Sequence, residues 1–318
     1  MMSTFSIERP GIHSTFQDKG RFGLQHLGVV AGGCMDSFLS DLANKLVGND
    51  IYQPLVEFAH QGPQIKMISG KVHVSITGNI KFEIKKNNKK IIEGIPNSSF
   101  YLEEGDLLDV IATKKSIYGY LAVEGCFDLE KINNSFSTLL KAKIGPNDGR
   151  KLFINQKINV NSTITNNNKK LLSNFDKVNE IRVLPGKQLN YFSDKSLKDF
   201  YLEKYKISNN TDRMGARLEG NKLEHLSSFN IPSEGIAKGS IQVPGDGQAI
   251  VLLNDHPTVG GYPKIAHIIT ADYDNFVQKQ PGSEVTFKEV SLKEAEIAFD
   301  KYLSYKKKQQ SLISNANE

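Results

Sequence analysis

Cysteine is nearly absent. The chain of 318 residues has two, Cys34 and Cys126. Two thiols make neither a disulfide framework nor a zinc ligand set. Long apolar runs are also missing: none approaches the about 18 residues that a membrane helix needs, so no membrane role is expected. Glu8, Arg9 and Pro10 arrive before the apolar core of a signal peptide could form, and a cytoplasmic, reduced protein is the default expectation. Locally spaced catalytic signatures are missing as well. There is no Walker-type P-loop, no Gly-x-Gly-x-x-Gly between a strand and a helix, and no Gly-x-Ser-x-Gly elbow. Metal-ligand spacing is absent, and so is a Met-Lys-Met site for covalent biotin. An enzyme built on this chain shares its site with another protein chain, or works through backbone, Lys, Arg and Tyr electrostatics.

What is present is ordinary for a globular chain. Hydrophobic residues make up 39% and charged residues 24%, enough to bury a substantial core. The net charge is +5, much of it in two Lys-rich clusters, 85–90 and 306–308. No aromatic residues interleave with those lysines, so they read as solvated surface and no nucleic-acid partner is expected.

The stretch from Pro244 to Ala266 carries the densest chemistry. Pro244-Gly245-Asp246-Gly247 is a tight-turn signature. An apolar run, Ala249 to Leu253, precedes Gly260-Gly261, Tyr262 and Lys264. Two readings fit: a loop that offers backbone N–H groups and a cation to a carbonyl or anion, or a hairpin whose glycines serve geometry alone. Arg213 and Arg217, four apart with Glu219 following, suit either anion binding or an ion-pair network. Arg21, His26 and Asp36 lie among many glycines, as a polar pocket wall or as a folded Ω-loop.

Short strand-like runs separated by Gly, Pro and Asn fill 55–123, the spacing of a barrel or sandwich. Asp36 or Ser37 caps a helix through Val47. Residues 155–170, rich in Asn and Lys, read as a linker or exposed hairpin. A second unit opens near Ile181 and weakly echoes the first. Helices are expected at 197–205, started by Ser196, and at 292–305, where Ser291 and Glu294 form a capping box. The tail beyond is expected to fray.

Several blocks together resemble the allophanate hydrolase subunit 2 family, also called the biotin-dependent carboxyltransferase family. They are Gln17-Asp18 with Gly20-Arg21; Gln25-His26-Leu27-Gly28; Gly32-Gly33 with Met35-Asp36; Leu42-Ala43-Asn44; Leu121-Ala122-Val123; Asp212-Arg213-Met214-Gly215 with Arg217-Leu218-Glu219-Gly220; Ile241-Gln242-Val243-Pro244 with Asp246-Gly247-Gln248; and Gly260-Gly261-Tyr262-Pro263-Lys264-Ile265-Ala266. They stand in the family's order. Four positions and one segment depart from its pattern. Val259 replaces a Thr, Cys34 an Ala, Cys126 a Gly and Phe136 an Arg, and Pro146-Asn147-Asp148 interrupts a Gly-rich segment.

The resemblance implies a mainly β chain with a few helices, folded as two cyclophilin-like β-barrel domains. The boundaries are expected at 1–175, 176–300 and a tail at 301–318. It implies one component of an ATP-dependent 5-oxoprolinase, which turns 5-oxoproline, ATP and water into glutamate, ADP and phosphate. The partners would be homologues of that enzyme's B-type and A-type subunits, in a heteromeric complex, with ATP bound here or on the partner. In that reading Lys264, Tyr262 and Arg213 are catalytic. Arg217, Gln242, Gln248, Gly260, Gly261, His26, Asp36 and Arg21 contact the small amide substrate. The alternatives are a carboxyltransferase module that takes biotin from another chain to act on urea or a similar amide, and a regulatory module without turnover.

Overall fold

The computed structural model describes residues 2–162, 167–171 and 180–315. The chain divides into two compact units. The first takes Met1–Arg21, Gly32–Asn174 and Lys306–Glu318; the second takes Phe22–Ala31 and Phe175–Tyr305. The join expected at 175–176 lies outside the described residues.

In the first unit two seven-stranded sheets enclose one core. One runs Cys126–Phe127, Lys157–Asn161, Met2–Arg9, Gln64–Ser69, Leu107–Thr113, Ile80–Lys85, Ile91–Glu93. The other runs Thr15–Gln17, Leu55–Ala59, Tyr118–Val123, Lys71–Thr77, Ser98–Glu103, Lys169–Lys170, Ser314–Asn315. Alternation in Lys71–Thr77 shows how the layers form. Val72, Val74 and Ile76 enter the core. Ser75 and Thr77 face the helix Ser37–Leu46, donating to Ala43 O (2.6 Å) and Leu39 O (2.8 Å). Asp36 caps that helix as expected, its carboxylate accepting from Leu39 N at 2.9 Å.

The second unit contains a closed barrel in the order Glu180–Pro185, Lys264–Ile268, Ser240–Gln242, Ile250–Leu252, Gly215–Glu219, Tyr205–Thr211, Glu284–Glu289. Glu180–Pro185 and Glu284–Glu289 pair in parallel and shut it. A two-stranded flap, Glu234–Gly235 with Val259–Gly260, stands apart from the barrel ladder. No helix among the described residues is long and apolar enough to cross a membrane.

Four local expectations are corrected. Residues 157–161 are an interior strand between Met2–Arg9 and Cys126–Phe127, with Ile158 and Val160 buried, because pairing on both edges outweighs a polar composition. The third helix is Asp194–Leu202, capped by Ser193, and Tyr205 opens a strand instead of closing the helix. A helix not foreseen, Thr270–Val277, follows the Lys264–Ile268 strand. The last helix runs Leu292–Ser311, and Ser314–Asn315 pairs with Lys169–Lys170, so the tail is not frayed to that point. Lys306 donates to Asp41 at 2.8 Å and Gln309 is buried, which anchors it. The Ser291–Glu294 capping box forms as expected.

One buried pair sets a pH dependence. His73 is fully buried, stacked on Tyr101 at 4.7 Å, with Nδ1 3.1 Å from Glu124. Burial lowers its pKa, and the Glu124 charge and hydrogen bond only partly counter this. The folded unit therefore resists a proton that the unfolded chain accepts below about pH 6.5. Stability is complete above that pH and falls as the pH drops through the lowered folded pKa. The slope is at most about 1.4 kcal/mol per pH unit for this one site. Hydrogen exchange in Lys71–Thr77 between pH 7.5 and 5.5 is expected to report it, with His73→Gln removing that share. An unchanged slope in the variant would assign the proton elsewhere.

Candidate functional site

The barrel register places four positions in one row. Lys264 lies opposite Gln242, Gln242 opposite Ile250, and Ile250 opposite Arg217. Their neighbours Ile241, Val251, Ala216 and Leu218 are buried in the barrel. Alternation therefore turns Gln242, Ile250 and Arg217 to the outer face of the wall. A bulge between Ile241 and Gln242 brings Lys264 into that row.

The flap covers the row at Gln242. Ile236 N donates to Thr258 O at 3.2 Å and Ile231 N to Gly261 O at 2.9 Å. A Cβ on Gly260 would stand 2.7 Å from Gln242 Nε2, so the absence of a side chain lets the flap close on the glutamine. Gln242 Nε2 lies 3.5 Å from Tyr262 O, and the Tyr262 ring is exposed.

Lys264 is the buried cation of the site, 9% exposed. Its Nζ is 2.5 Å from Glu234 Oε1 on the flap. The approach is oblique, and no well-formed hydrogen bond to Nζ exists among the described residues. Gln188 completes the cluster: its Nε2 donates to Glu234 Oε1 at 3.0 Å and its Oε1 accepts from Lys264 N at 3.2 Å. The contact with Lys264 and the hydrogen bond from Gln188 hold the Glu234 carboxyl below the usual carboxylate range.

The sequence-selected residues separate into groups. Lys264, Tyr262, Gln242, Gly260 and Gly261 meet at the flap. Arg217 shares their row and donates to Asp246 Oδ2 at 2.7 Å, in the turn that also holds Gln248 N to Asp246 Oδ1 at 3.1 Å. Arg213 does not join them. Gly215 lies opposite Leu252 and Arg217 opposite Ile250, which puts Arg213 at the other end of the strand pair. There its guanidinium grips Asp255 through Nε (2.9 Å) and Nη2 (3.0 Å). His26 is exposed on the short turn Gln25–Leu27 of the second unit. Arg21 and Asp36 belong to the first unit, where Arg21 Nη2 donates to Ser137 O at 2.5 Å and Asp36 caps its helix. Glu234 and Gln188 were not foreseen. No local pattern marks them; the one signal available was that a buried ammonium needs a nearby carboxylate.

The donor set does not fit a nucleotide triphosphate. Each cation of the row already faces a carboxylate, Lys264 with Glu234 and Arg217 with Asp246. A single ammonium beside amide donors suits a neutral carbonyl instead.

A closed barrel in a mainly β chain thus carries a Gly-Gly-Tyr-Pro-Lys loop on its wall. The chain belongs to the family "Carboxyltransferase domain, subdomain A and B", whose model matches residues 27–289. It is 33% identical to the C-type subunit of 5-oxoprolinase from Haemophilus influenzae over 282 residues, covering 89% of this chain and 90% of the relative. It is 27% identical to the urea amidolyase of Lachancea kluyveri over 314 residues, covering 90% of this chain and 17% of that much longer protein. The crystal structure of the Kluyveromyces lactis urea amidolyase superposes with a TM-score of 0.86 at 23% identity, over 96% of this chain and 20% of that one, a likeness of fold.

Proposed function

We propose that this chain is the C-type subunit of an ATP-dependent 5-oxoprolinase, acting with homologues of the A-type and B-type subunits to open 5-oxoproline to glutamate. The observation that carries the reading is the buried Lys264, paired across the barrel wall with Gln242, in a chain alike over nine-tenths of its length to one component of an enzyme of that name. In this reading Lys264 donates to the lactam oxygen and stabilises the negative charge that develops as water attacks the carbonyl. Gln242 orients the planar amide, and the Tyr262 ring covers its face. The poor fit to a triphosphate favours a nucleotide site on the partner subunits.

The test is co-expression with partner subunits of the A and B types, followed by an assay for glutamate from 5-oxoproline with and without ATP. ATP-dependent glutamate that requires this chain is expected. A stable complex that makes no glutamate would sink the reading.

The likeness to urea amidolyase favours one rival, carboxyl transfer from biotin held by another chain to urea or a similar amide. Avidin is expected to leave glutamate formation untouched; inhibition by avidin would favour the rival.

A further inference from the structure

A carboxylate stands against the cation assigned above to a substrate oxygen. Glu234 is not there by accident of a mobile side chain. Gln188 ties it to the Lys264 backbone by one hydrogen bond at each end, 3.0 and 3.2 Å. Its strand partner on the flap is Gly260. About a third of its side chain remains exposed (35%), while the Lys264 side chain is nearly covered (11%).

The chemistry of the pair is that of a matched donor and acceptor. An ammonium N–H and a carboxylate oxygen 2.5 Å apart can engage the two atoms of one cis H–N–C=O unit. The carbonyl oxygen accepts from Lys264 and the amide N–H donates to Glu234. A carboxylate group placed there offers Glu234 no N–H and meets its negative charge. We propose that Glu234 is the specificity-determining residue of this site, selecting a neutral cis-amide, as in a lactam or ureide, over a carboxylate. The inference rests on the reading of Lys264 given above. It adds that a substrate bearing both groups must present its lactam edge, and not its carboxylate, to Lys264.

The test uses the full chain and two small probes of similar size, 2-pyrrolidone and propionate, titrated by calorimetry or NMR. The wild-type chain is expected to prefer the lactam. Glu234→Gln keeps the size of the side chain and its contact with Gln188 but removes the charge. It is expected to weaken 2-pyrrolidone about tenfold and to tighten propionate, inverting the order. Glu234→Asp, which retains the charge but draws it back from Lys264, is expected to fall between. A preference that stays within about twofold of wild type in both variants would overturn the proposal. So would a wild-type chain that binds neither probe, which leaves the glutamate assay of the assembled enzyme to be judged separately. Conversely, an inverted preference with no glutamate from the assembly keeps the role of Glu234 and discards the 5-oxoprolinase reading.

Discussion

Lys264→Ala in the complete assembly is expected to lower ATP-dependent glutamate formation by about 10²–10³-fold, the usual effect of removing one donor to a developing oxyanion. The loss should fall mainly on kcat, because the contact strengthens as the carbonyl oxygen gains charge. The fold should survive. Removing a desolvated ammonium relieves its burial, and Glu234, 35% exposed at its side chain, keeps its hydrogen bond from Gln188 and its contact with water. The thermal midpoint is therefore expected to stay at or above that of the wild type. Lys264→Arg should not rescue the rate. The ammonium is buried against Glu234 on the flap, and a planar fork cannot occupy the position of a point charge. Full activity in either variant would remove Lys264 from the chemistry and leave the buried pair a structural one.

How much of this was legible in one dimension depends on the range of the interaction. Asp36 and the Ser291–Glu294 box act over three residues, and both caps form where the sequence places them. The lysine loop was legible for a similar reason, since its glycines, tyrosine and lysine are contiguous. Arg213 and Arg217 looked equivalent four apart, yet only Arg217 shares the Lys264 row. Which end of a strand faces the flap depends on the pairing of Gly215 with Leu252, which no local pattern encodes. Glu234 was missed because it reaches Lys264 from thirty residues upstream, through a flap of two residues per strand. Lys157–Asn161 was missed because its charged and amide side chains face away from the core, while Ile158 and Val160 alone mark the buried side.

Asp18→Ala is expected to be the most destabilising substitution considered for the first unit. Asp18 is buried, and its Oδ1 accepts from Gly20 N (2.8 Å), Ser135 Oγ (2.7 Å) and Ser137 Oγ (2.6 Å). Its Oδ2 accepts from Phe136 N at 2.7 Å. Removing the carboxylate strands two backbone donors at once, and each buried unsatisfied group costs about 1–3 kcal/mol. The costs do not simply add, so a loss of about 3–5 kcal/mol is expected, read as a lower urea midpoint. Asp18→Asn should cost less, about 1–2 kcal/mol. Its oxygen can face Phe136 N, which cannot rotate, and the two serine hydroxyls can turn to accept from the amide. Only Gly20 N then meets a donor. A wild-type midpoint in Asp18→Ala would show that the 135–137 segment is held by other contacts, such as Gln17 Nε2 to Thr138 O at 3.0 Å. The same geometry accounts for one departure from the family's pattern. Phe136 stands where an arginine is common, yet Asp18 holds that residue through its backbone N–H. Its ring lies free of the carboxylate, 5.2 Å from Lys131 Nζ. The anchor is therefore indifferent to the side chain at 136, and Phe136→Ala is expected to leave the unfolding midpoint close to that of the wild type.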